Sequence, residues 1–337
     1  MNCYLMAKRI KEGGGTRRVC PQTEVPSVTL QTEWPCQSFD FSRSNFPLGN
    51  GAGDYFNCSC AQRGGREWLI VRRAKWTVGA SPWGVNDLLA FELEGHRPVG
   101  GVKVQIKSLV PGEHFEDPRV FVHEGRTYLS CCNFVWNHPR GRPHQIICEV
   151  DGDWKSLWRA DPVYGENGSH TLNNRGWEKN WLWFISDGAF HLIYRTQPHT
   201  VARFDRAWGL KDQWITRSPK LAWKWGEMRG GTPPVLIGDE YWSWFHSSSD
   251  WGVKRYHMAP YAFEAKAPHR MTRCADRPFL SGSAQDKTGQ GKPLCVFPCG
   301  SIFRGGEWFI TFGINDLEAG WIGGISQQEV LERVVSL

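Results

Sequence analysis

A β-hairpin unit repeats five times along the chain, and this repetition limits the possible folds more than any other feature. Each copy has a short apolar strand, a tight glycine turn and a second apolar strand, which is the strongest local β signal in a sequence. The turn glycines, about 50 to 70 residues apart, are Gly65, Gly125, Gly188, Gly238 and Gly306. Each interval has room for four short strands, which make one propeller blade. We therefore predict an all-β fold, a five-bladed β-propeller with a central funnel.

Other segments complete the expected organisation. Apolar runs at residues 88–93 and 145–150 are typical of outer strands, and residues 327–335, QQEVLERVV, have a helical pattern. Residues 1–30 lack periodicity and contain three consecutive glycines beside two arginines, which predicts a flexible or irregular leader. Residues 31–337 are then expected to form a single propeller domain closed by a short C-terminal segment.

Charge and composition narrow the functional classes. The formal net charge is +6 at pH 7 and the basic residues are scattered, so nucleic-acid binding is not expected. The positive charge is compatible with an anionic substrate or a phosphate group. The 19 tryptophans favour core filling between sheets, although a tryptophan face can also stack on a sugar ring.

Cysteine usage and hydropathy bear on location and metal binding. The 11 cysteines lack paired CxxC spacing, which is typical of reduced, buried thiols and predicts no metal site. No apolar run approaches the length of a membrane span, and the first residues, MNCYLMAKRIKEGGGTRR, lack the apolar region of a signal peptide. We therefore expect a cytoplasmic protein without a membrane span.

The repeat also predicts where a functional site would lie. In a propeller the innermost strand of each blade lines the central channel, so the residues that precede the five first strands should converge at one funnel. These residues are polar, small or charged and differ between copies: Asn57 and Ser59; Glu116, Asp117 and Arg119; Glu178, Lys179 and Asn180; Arg229, Gly230 and Thr232; and residues 297–300. Stability alone does not explain such a set.

The second copy contains the leading catalytic candidate. Neighbouring residues on a strand point to opposite sides, so Glu116 and Asp117 are not expected to face the channel together, whereas Asp117 and Arg119 share a side. Arg119 would lower the pKa of Asp117, and a general acid would need burial or a second carboxylate to offset this. A structural Asp–Arg pair at the end of the strand is the alternative.

Two further segments add candidates. Glu227 and Arg229 lie on a glycine-flanked turn where Arg229 could hold an oxyanion and the glycines could let a ligand approach, and His246 lies on the paired strand. Asp316 could bind sugar hydroxyls or cap a turn. Because GxSxG, HExxH and P-loop motifs are absent, serine hydrolase, zinc protease and NTPase activities lack support.

Three segments in this order resemble glycoside hydrolase family 130 and its mannosyltransferase relatives. FEDPRVFVHEGRTYLS resembles the EDPR strand of that family, RGGTPPVLIGDEYWSWFHS its G-x-P-P segment with a following His, and VFPCGSIFRGGEWFITFGIND its VFPCG ending. The resemblance covers residues 57–321. It implies a five-bladed propeller that acts on β-mannosides.

The resemblance also implies roles for individual residues. Asp117 matches the carboxylate that starts proton transfer to the glycosidic oxygen, directly or through a sugar hydroxyl. Arg119, Arg229, Lys179 and His246 fall where the family gathers phosphate or substrate contacts. Asp316 matches a sugar-binding acid. Separately from the resemblance, the repeat makes Asn57 and Asn180 candidate substrate contacts, since they precede the first apolar runs of their copies.

The reaction type remains open at this point. Inverting hydrolysis needs an acid and a base about 6.5 to 9.5 Å apart, for which Glu178 and Glu227 are the candidate bases. Phosphorolysis or transfer instead needs cations around inorganic phosphate, a sugar phosphate or a nucleotide sugar, and the available cations favour it. No further cofactor is expected. A non-catalytic carbohydrate-binding propeller and a protein-interaction propeller are the alternatives from other classes.

Overall fold

The computed structural model describes residues 36–46, 54–75, 85–109, 111–134, 143–162, 179–250, 254–282 and 294–337. These residues fall within one compact unit, Thr32–Leu337, and the predicted leader at residues 1–30 lies outside them. In chain order the described elements are β1 (Gln37–Ser38), β2 (Asp54–Arg63), β3 (Arg66–Lys75), β4 (Val85–Glu94), β5 (Arg97–Lys103), β6 (His114–His123), β7 (Arg126–Phe134), β8 (His144–Val150), β9 (Ser156–Ala160), β10 (Leu182–Ser186), β11 (Ala189–Arg195), β12 (His199–Phe204), β13 (Leu210–Thr216), β14 (Val235–Ile237), β15 (Glu240–Asp250), β16 (Lys254–Glu264), β17 (Met271–Ala275), β18 (Leu280–Ser281), β19 (Val296–Arg304), β20 (Glu307–Ile314), β21 (Glu318–Ser326), α1 (Gln327–Leu331) and β22 (Val334–Ser336).

The five predicted hairpins are present. They are β2–β3, β6–β7, β10–β11, β14–β15 and β19–β20, each antiparallel. All five turn glycines have positive φ, from 64° at Gly238 to 85° at Gly306, a conformation that residues with a Cβ rarely adopt. The repeated glycine therefore allows the tight turn that joins the two strands of each hairpin.

Each hairpin starts one antiparallel sheet, and the five sheets are the blades of a five-bladed β-propeller. The first three blades run outwards as β2–β5, β6–β9 and β10–β13, in chain order. The inner strand β2 contacts the inner strands β6 and β19 of its neighbours. We call the end at which the inner strands begin the upper face. This arrangement confirms the predicted fold class.

Both ends of the described chain add strands to existing blades. The N-terminal β1 pairs with β21 and completes the fifth blade outside β19, β20 and β21. The C-terminal β22 pairs with β17 in the fourth blade. Just after β1, the buried ring of Phe41 lies 4.5 Å from Tyr55 and 5.2 Å from Phe91 of the first blade. The segment after β1 thus links the last blade to the first.

Large aromatic side chains fill the spaces between blades. Five tryptophans are less than 2% exposed: Trp154, Trp181, Trp183, Trp244 and Trp308. One apolar cluster, for example, joins Ile147 of β8 to Trp183 of β10. Core filling is therefore the role of these five tryptophans.

Two local predictions were wrong. The helical pattern of residues 327–335 forms a helix only over Gln327–Leu331, which a Ser326–Glu329 capping box starts. Val334 and Val335 instead pair with Ala275 and Cys274 of β17, where β-branched side chains fit a sheet better than a helix. The runs at residues 88–93 and 145–150 lie in the third strands, β4 and β8, because β5 and β9 add a further strand outside each.

Truncating Phe41 tests the link between the last and first blades. Phe41→Ala should lower the free energy of unfolding by about 3 to 5 kcal/mol, because it removes a buried ring from a packed aromatic cluster. Leu157→Ala, on the outer strand β9 where Leu157 is 61% exposed, should change it by less than about 0.5 kcal/mol. Urea unfolding followed by tryptophan fluorescence measures both, and equal values would contradict the proposed link.

Candidate active site

Three inner strands reach the upper face in a strained backbone conformation. Asn57, Asp117 and Asn180, from the first three blades, have φ values of 48°, 53° and 65°. The β2–β3 register shifts between Phe56 and Cys58, and the β6–β7 register shifts between Glu116 and Arg119. Such bulges redirect side chains and cluster at functional sites.

The Asp117 carboxylate meets side chains from the first blade. Its Oδ1 accepts hydrogen bonds from Asn57 Nδ2 at 2.7 Å and from Arg72 Nη1 at 3.2 Å. Asp117 is 6% exposed and Arg72 is 8% exposed. Both of these bonds end on Oδ1 and neither involves Oδ2.

Glu116 joins the same network, contrary to the prediction from strand alternation. Its Oε1 accepts hydrogen bonds from Arg72 Nη2 and Asn86 Nδ2, both at 3.0 Å. Arg72 Nε also donates to Asn86 Oδ1 at 2.8 Å. The bulge at Asp117 and Pro118 breaks the alternation, so both carboxylates turn towards one guanidinium.

This network keeps Asp117 ionised. Burial opposes the charge, but the neighbouring cations Arg72, Lys179 and Arg119 and the hydrogen bond from Asn57 outweigh it and hold the pKa of Asp117 well below its usual range. Asp117 is therefore a carboxylate in this arrangement, and it would need a proton before it could act as an acid.

Arg119 holds the inner strands together instead of pairing with the Asp117 carboxylate. Its side chain is 0% exposed. It donates to the carbonyl oxygens of Asp117 at 3.1 Å and Gly231 at 2.8 Å, and to Asn180 Oδ1 at 3.1 Å. These acceptors belong to the second, third and fourth blades. In place of the alternative structural pair, Arg119 binds the backbone carbonyl of Asp117 and lowers the pKa of its carboxyl only through its charge. A direct substrate contact by Arg119 stays a prediction.

Beside this network lies a cavity of about 380 Å³ between the third and fourth blades. Three cations line it, together with an exposed acid, amide and hydroxyl groups, and aromatic side chains. The lining residues are Lys179, Asn180, Trp181, Tyr194, Arg195, Thr196, Glu227, Met228, Arg229 and Gly230. The Oγ1 of Thr196, which is 1% exposed, has no hydrogen-bond partner among the described residues. Cations and an unpaired buried hydroxyl are suited to an anionic ligand.

Glu227 and Arg229 form the outer side of the cavity. Arg229 Nη2 donates to Glu227 Oε2 at 2.8 Å, and the two side chains are 41% and 70% exposed. Gly230 and Gly231 allow close backbone packing, because a Cβ there would lie 2.2 Å from the carbonyl oxygen of Asn180 and 2.1 Å from that of Trp244. Glu227 as a catalytic base stays a prediction.

His246 lies against this wall. It is 1% exposed and exchanges two backbone hydrogen bonds with Arg229. Burial, followed by the charges of Arg119 and Arg229, holds the pKa of His246 well below its usual range. The imidazole is therefore neutral, and its Nδ1 has no partner among the described residues.

Of the two remaining predicted residues, Asp316 lies near the Arg72 network and Glu178 lies outside the described residues. Asp316 is half-buried. Burial lowers the pKa of the Arg72 guanidinium, but the charges of Glu116 and Asp117 outweigh it, and the charge of Asp316 raises this pKa further.

Within the described part of the chain, no group of three or more His, Cys, Asp or Glu side chains is arranged to hold a metal ion. No helix there is long and apolar enough to cross a membrane.

Sequence reasoning missed Arg72 and Arg195. Arg72 and Arg195 lie near the ends of β3 and β11, the second strands of their hairpins. A second strand runs antiparallel to the first, so its end returns to the upper face. Searching that end of each repeat, as well as the start of each first strand, would have found them.

No family profile and no curated protein matches the chain, but solved structures share its fold. One is a structure from the GH130 family of mannoside phosphorylases, which contains glycoside hydrolases that target β-1,2 mannosidic linkages in Candida mannan. It is 16% identical to this chain with a TM-score of 0.62, over 81% of this chain and 84% of that chain. The β-1,2-mannobiose phosphorylase of Listeria innocua is 14% identical with a TM-score of 0.62, over 83% and 92%. A GDP-mannose-dependent mannosyltransferase of Leishmania mexicana is 13% identical with a TM-score of 0.56, over 87% and 91%. The resemblance to GH130-like proteins is confirmed at the level of the fold.

The charge state of Asp117 can be tested through stability. A carboxylate whose pKa is lowered in the folded state adds stability above its unfolded pKa, about 3.9, and loses it as the pH falls towards the folded value. The stability advantage of the wild type over Asp117→Asn should therefore be constant above about pH 5 and fall by about 1 kcal/mol between pH 5 and pH 3. Urea unfolding of both proteins measures it, and a pH-independent difference would show that the Asp117 pKa is not lowered.

Proposed function

We propose that this protein makes or breaks the glycosidic bond of a β-linked mannose-like sugar, with a phosphate group on one reactant. Asp117 exchanges the proton with the glycosidic oxygen, directly or through a sugar hydroxyl. The reaction is phosphorolysis by inorganic phosphate or transfer from a sugar phosphate. The observation that carries this proposal is the cavity lined by Lys179, Arg195 and Arg229, which adjoins the Asp117 network.

The two sides of the site support different parts of the reaction. Lys179 lies 3.6 Å from Glu116 on the side of the carboxylates and also lines the cavity. A phosphate held by the cations would therefore lie next to a sugar placed over Asp117. Positioning two reactants in this way removes much of the entropic cost of a bimolecular reaction.

Among the described residues, which do not include Glu178, the same geometry argues against hydrolysis. An inverting hydrolase needs a carboxylate base that activates water opposite the acid. Glu116 accepts hydrogen bonds from Arg72 and Asn86, and Glu227 pairs with Arg229 at the exposed rim. Both acids are held by arginines, so neither suits the role of a base. A cationic wall instead favours an anionic nucleophile or leaving group.

The size of the cavity favours a second candidate, a glycosyltransferase that uses a nucleotide sugar. A volume of about 380 Å³ lies within the usual range of small-molecule sites, about 300 to 1,000 Å³, and exceeds what inorganic phosphate needs. The Leishmania neighbour is a GDP-mannose-dependent enzyme. A mannosyl donor with a larger phosphorylated group is therefore the alternative.

One assay separates these reactions. The protein is incubated with β-mannosides with and without inorganic phosphate, and with mannose 1-phosphate or GDP-mannose as donor. Phosphate-dependent release of mannose 1-phosphate indicates a phosphorylase, and elongation that depends on one donor indicates a transferase. Mannoside binding without turnover in any arm, and unchanged in Asp117→Asn, would instead favour a non-catalytic carbohydrate-binding propeller.

In the active arm, Asp117→Asn should lower kcat by about 10² to 10⁴, the usual contribution of a general acid. Asp212→Asn, which removes an exposed carboxylate from β13, should keep wild-type kcat. Steady-state kinetics on both variants decides the role of Asp117. A kcat within twofold of wild type in Asp117→Asn would contradict it.

Arg195→Met tests the cationic cavity separately. It should raise KM for phosphate or the phosphorylated donor by about tenfold or more, because a charged hydrogen bond to the phosphate is lost. Arg203→Met, which removes an exposed arginine from β12 of the same blade, is the matched control. An unchanged KM in Arg195→Met would place the phosphate outside this cavity.

A further inference from the structure

The Lys179 side chain contacts two different parts of the site. Its Nζ lies 3.6 Å from Glu116 Oε2, and the same side chain lines the cavity between the third and fourth blades. Lys179 is 32% exposed, whereas the Glu116 side chain is 8% exposed. A single ammonium group is thus shared between a buried carboxylate and the open cavity.

Few cationic groups contact the negatively charged side chains of Glu116 and Asp117. Arg72 donates to both carboxylates, with Nη2 to Glu116 and Nη1 to Asp117. Two buried negative charges therefore share one guanidinium, and Lys179 is the second cation that contacts Glu116. If Lys179 turned towards an anion, the two carboxylates would be left with too little positive charge, and one of them would take up a proton.

We propose that Lys179 couples the binding of a phosphate-type anion in the cavity to the uptake of one proton by the Glu116–Asp117 pair. The proton comes from the solvent, and no other bond forms or breaks. The inference rests on the proposed function in that it assigns the cavity to a phosphate group. It explains how a carboxylate that Arg72 and Lys179 keep ionised becomes an acid when the co-substrate is in place.

The other titratable groups that face the pair leave it as the acceptor. Burial raises the pKa of the Cys132 thiol to about 12 and raises that of Cys299 even further. His246 is held neutral, with its pKa well below the usual range through burial and the charges of Arg119 and Arg229. Arg119 and Asp316 also act on the network electrostatically. Of these groups His246 is the competing acceptor, so the test includes a His246 variant.

Sulfate is the probe, because it resembles a phosphate dianion but has no proton to exchange near neutral pH. Calorimetric titrations in two buffers with different protonation enthalpies measure the protons taken up on binding. For wild type we expect uptake that increases as the pH falls from 7 to 5, with an affinity that rises by up to about tenfold per pH unit. His246→Gln should retain this uptake.

Two variants should abolish the coupling in opposite ways. Lys179→Met should bind sulfate more weakly and without proton uptake, since the shared cation is lost. Glu116→Gln should bind it more tightly and also without uptake, because Lys179 no longer has a competing carboxylate. Glu227→Gln makes the same charge change at the exposed rim of the cavity and should retain proton uptake.

Wild-type uptake in Glu116→Gln, loss of uptake in His246→Gln, sulfate binding without uptake in the wild type, or no sulfate binding would each overturn the coupling. These outcomes are separate from the proposed function. Phosphate-dependent mannoside turnover without proton-linked binding would refute the coupling alone. Proton-linked sulfate binding without turnover of any mannoside would support the coupling and refute the proposed function.

Discussion

The organisation of the upper face depends on one guanidinium, that of Arg72, which is shared by the buried carboxylates of Glu116 and Asp117. Two adjacent buried acids cannot both stay ionised without such a partner. Arg72 belongs to the first blade and the two acids to the second, so the charge state of the site depends on the packing between blades. Closure of the propeller by β1 and Phe41 therefore supports this ion-pair network as well as the fold.

The site divides into a buried part and a partly exposed part. Arg119 and His246 are fully buried, and Arg119 connects three inner strands through carbonyl and amide oxygens. Lys179, Arg195 and Arg229 instead line the cavity, and Lys179 and Arg229 are partly exposed. A buried, hydrogen-bonded layer beneath solvent-accessible cations suits the proposed reaction, in which an anion enters and leaves beside a bound sugar.

The repeated hairpins were enough to predict the propeller, because glycine turns with positive φ and apolar strands are local signals. Asp117 could be singled out for the same reason, since it precedes the apolar run of a first strand, residues 120–122. The bulge at Asp117 and Pro118 could not be predicted, and it brought Glu116 into the site against strand alternation. Arg72 and Arg195 were missed because their place depends on where second strands end, and Val334 because its strand partner, Ala275, is distant in the chain.

In the proposed reaction, the cationic cavity holds a phosphate group beside a sugar placed over Asp117. A crystal structure of the protein with mannose 1-phosphate bound would test this placement. We expect the phosphate among Lys179, Arg195 and Arg229, with a sugar oxygen within hydrogen-bond distance of Asp117 Oδ2. A sugar phosphate bound elsewhere, or bound with its sugar directed away from Asp117, would contradict it.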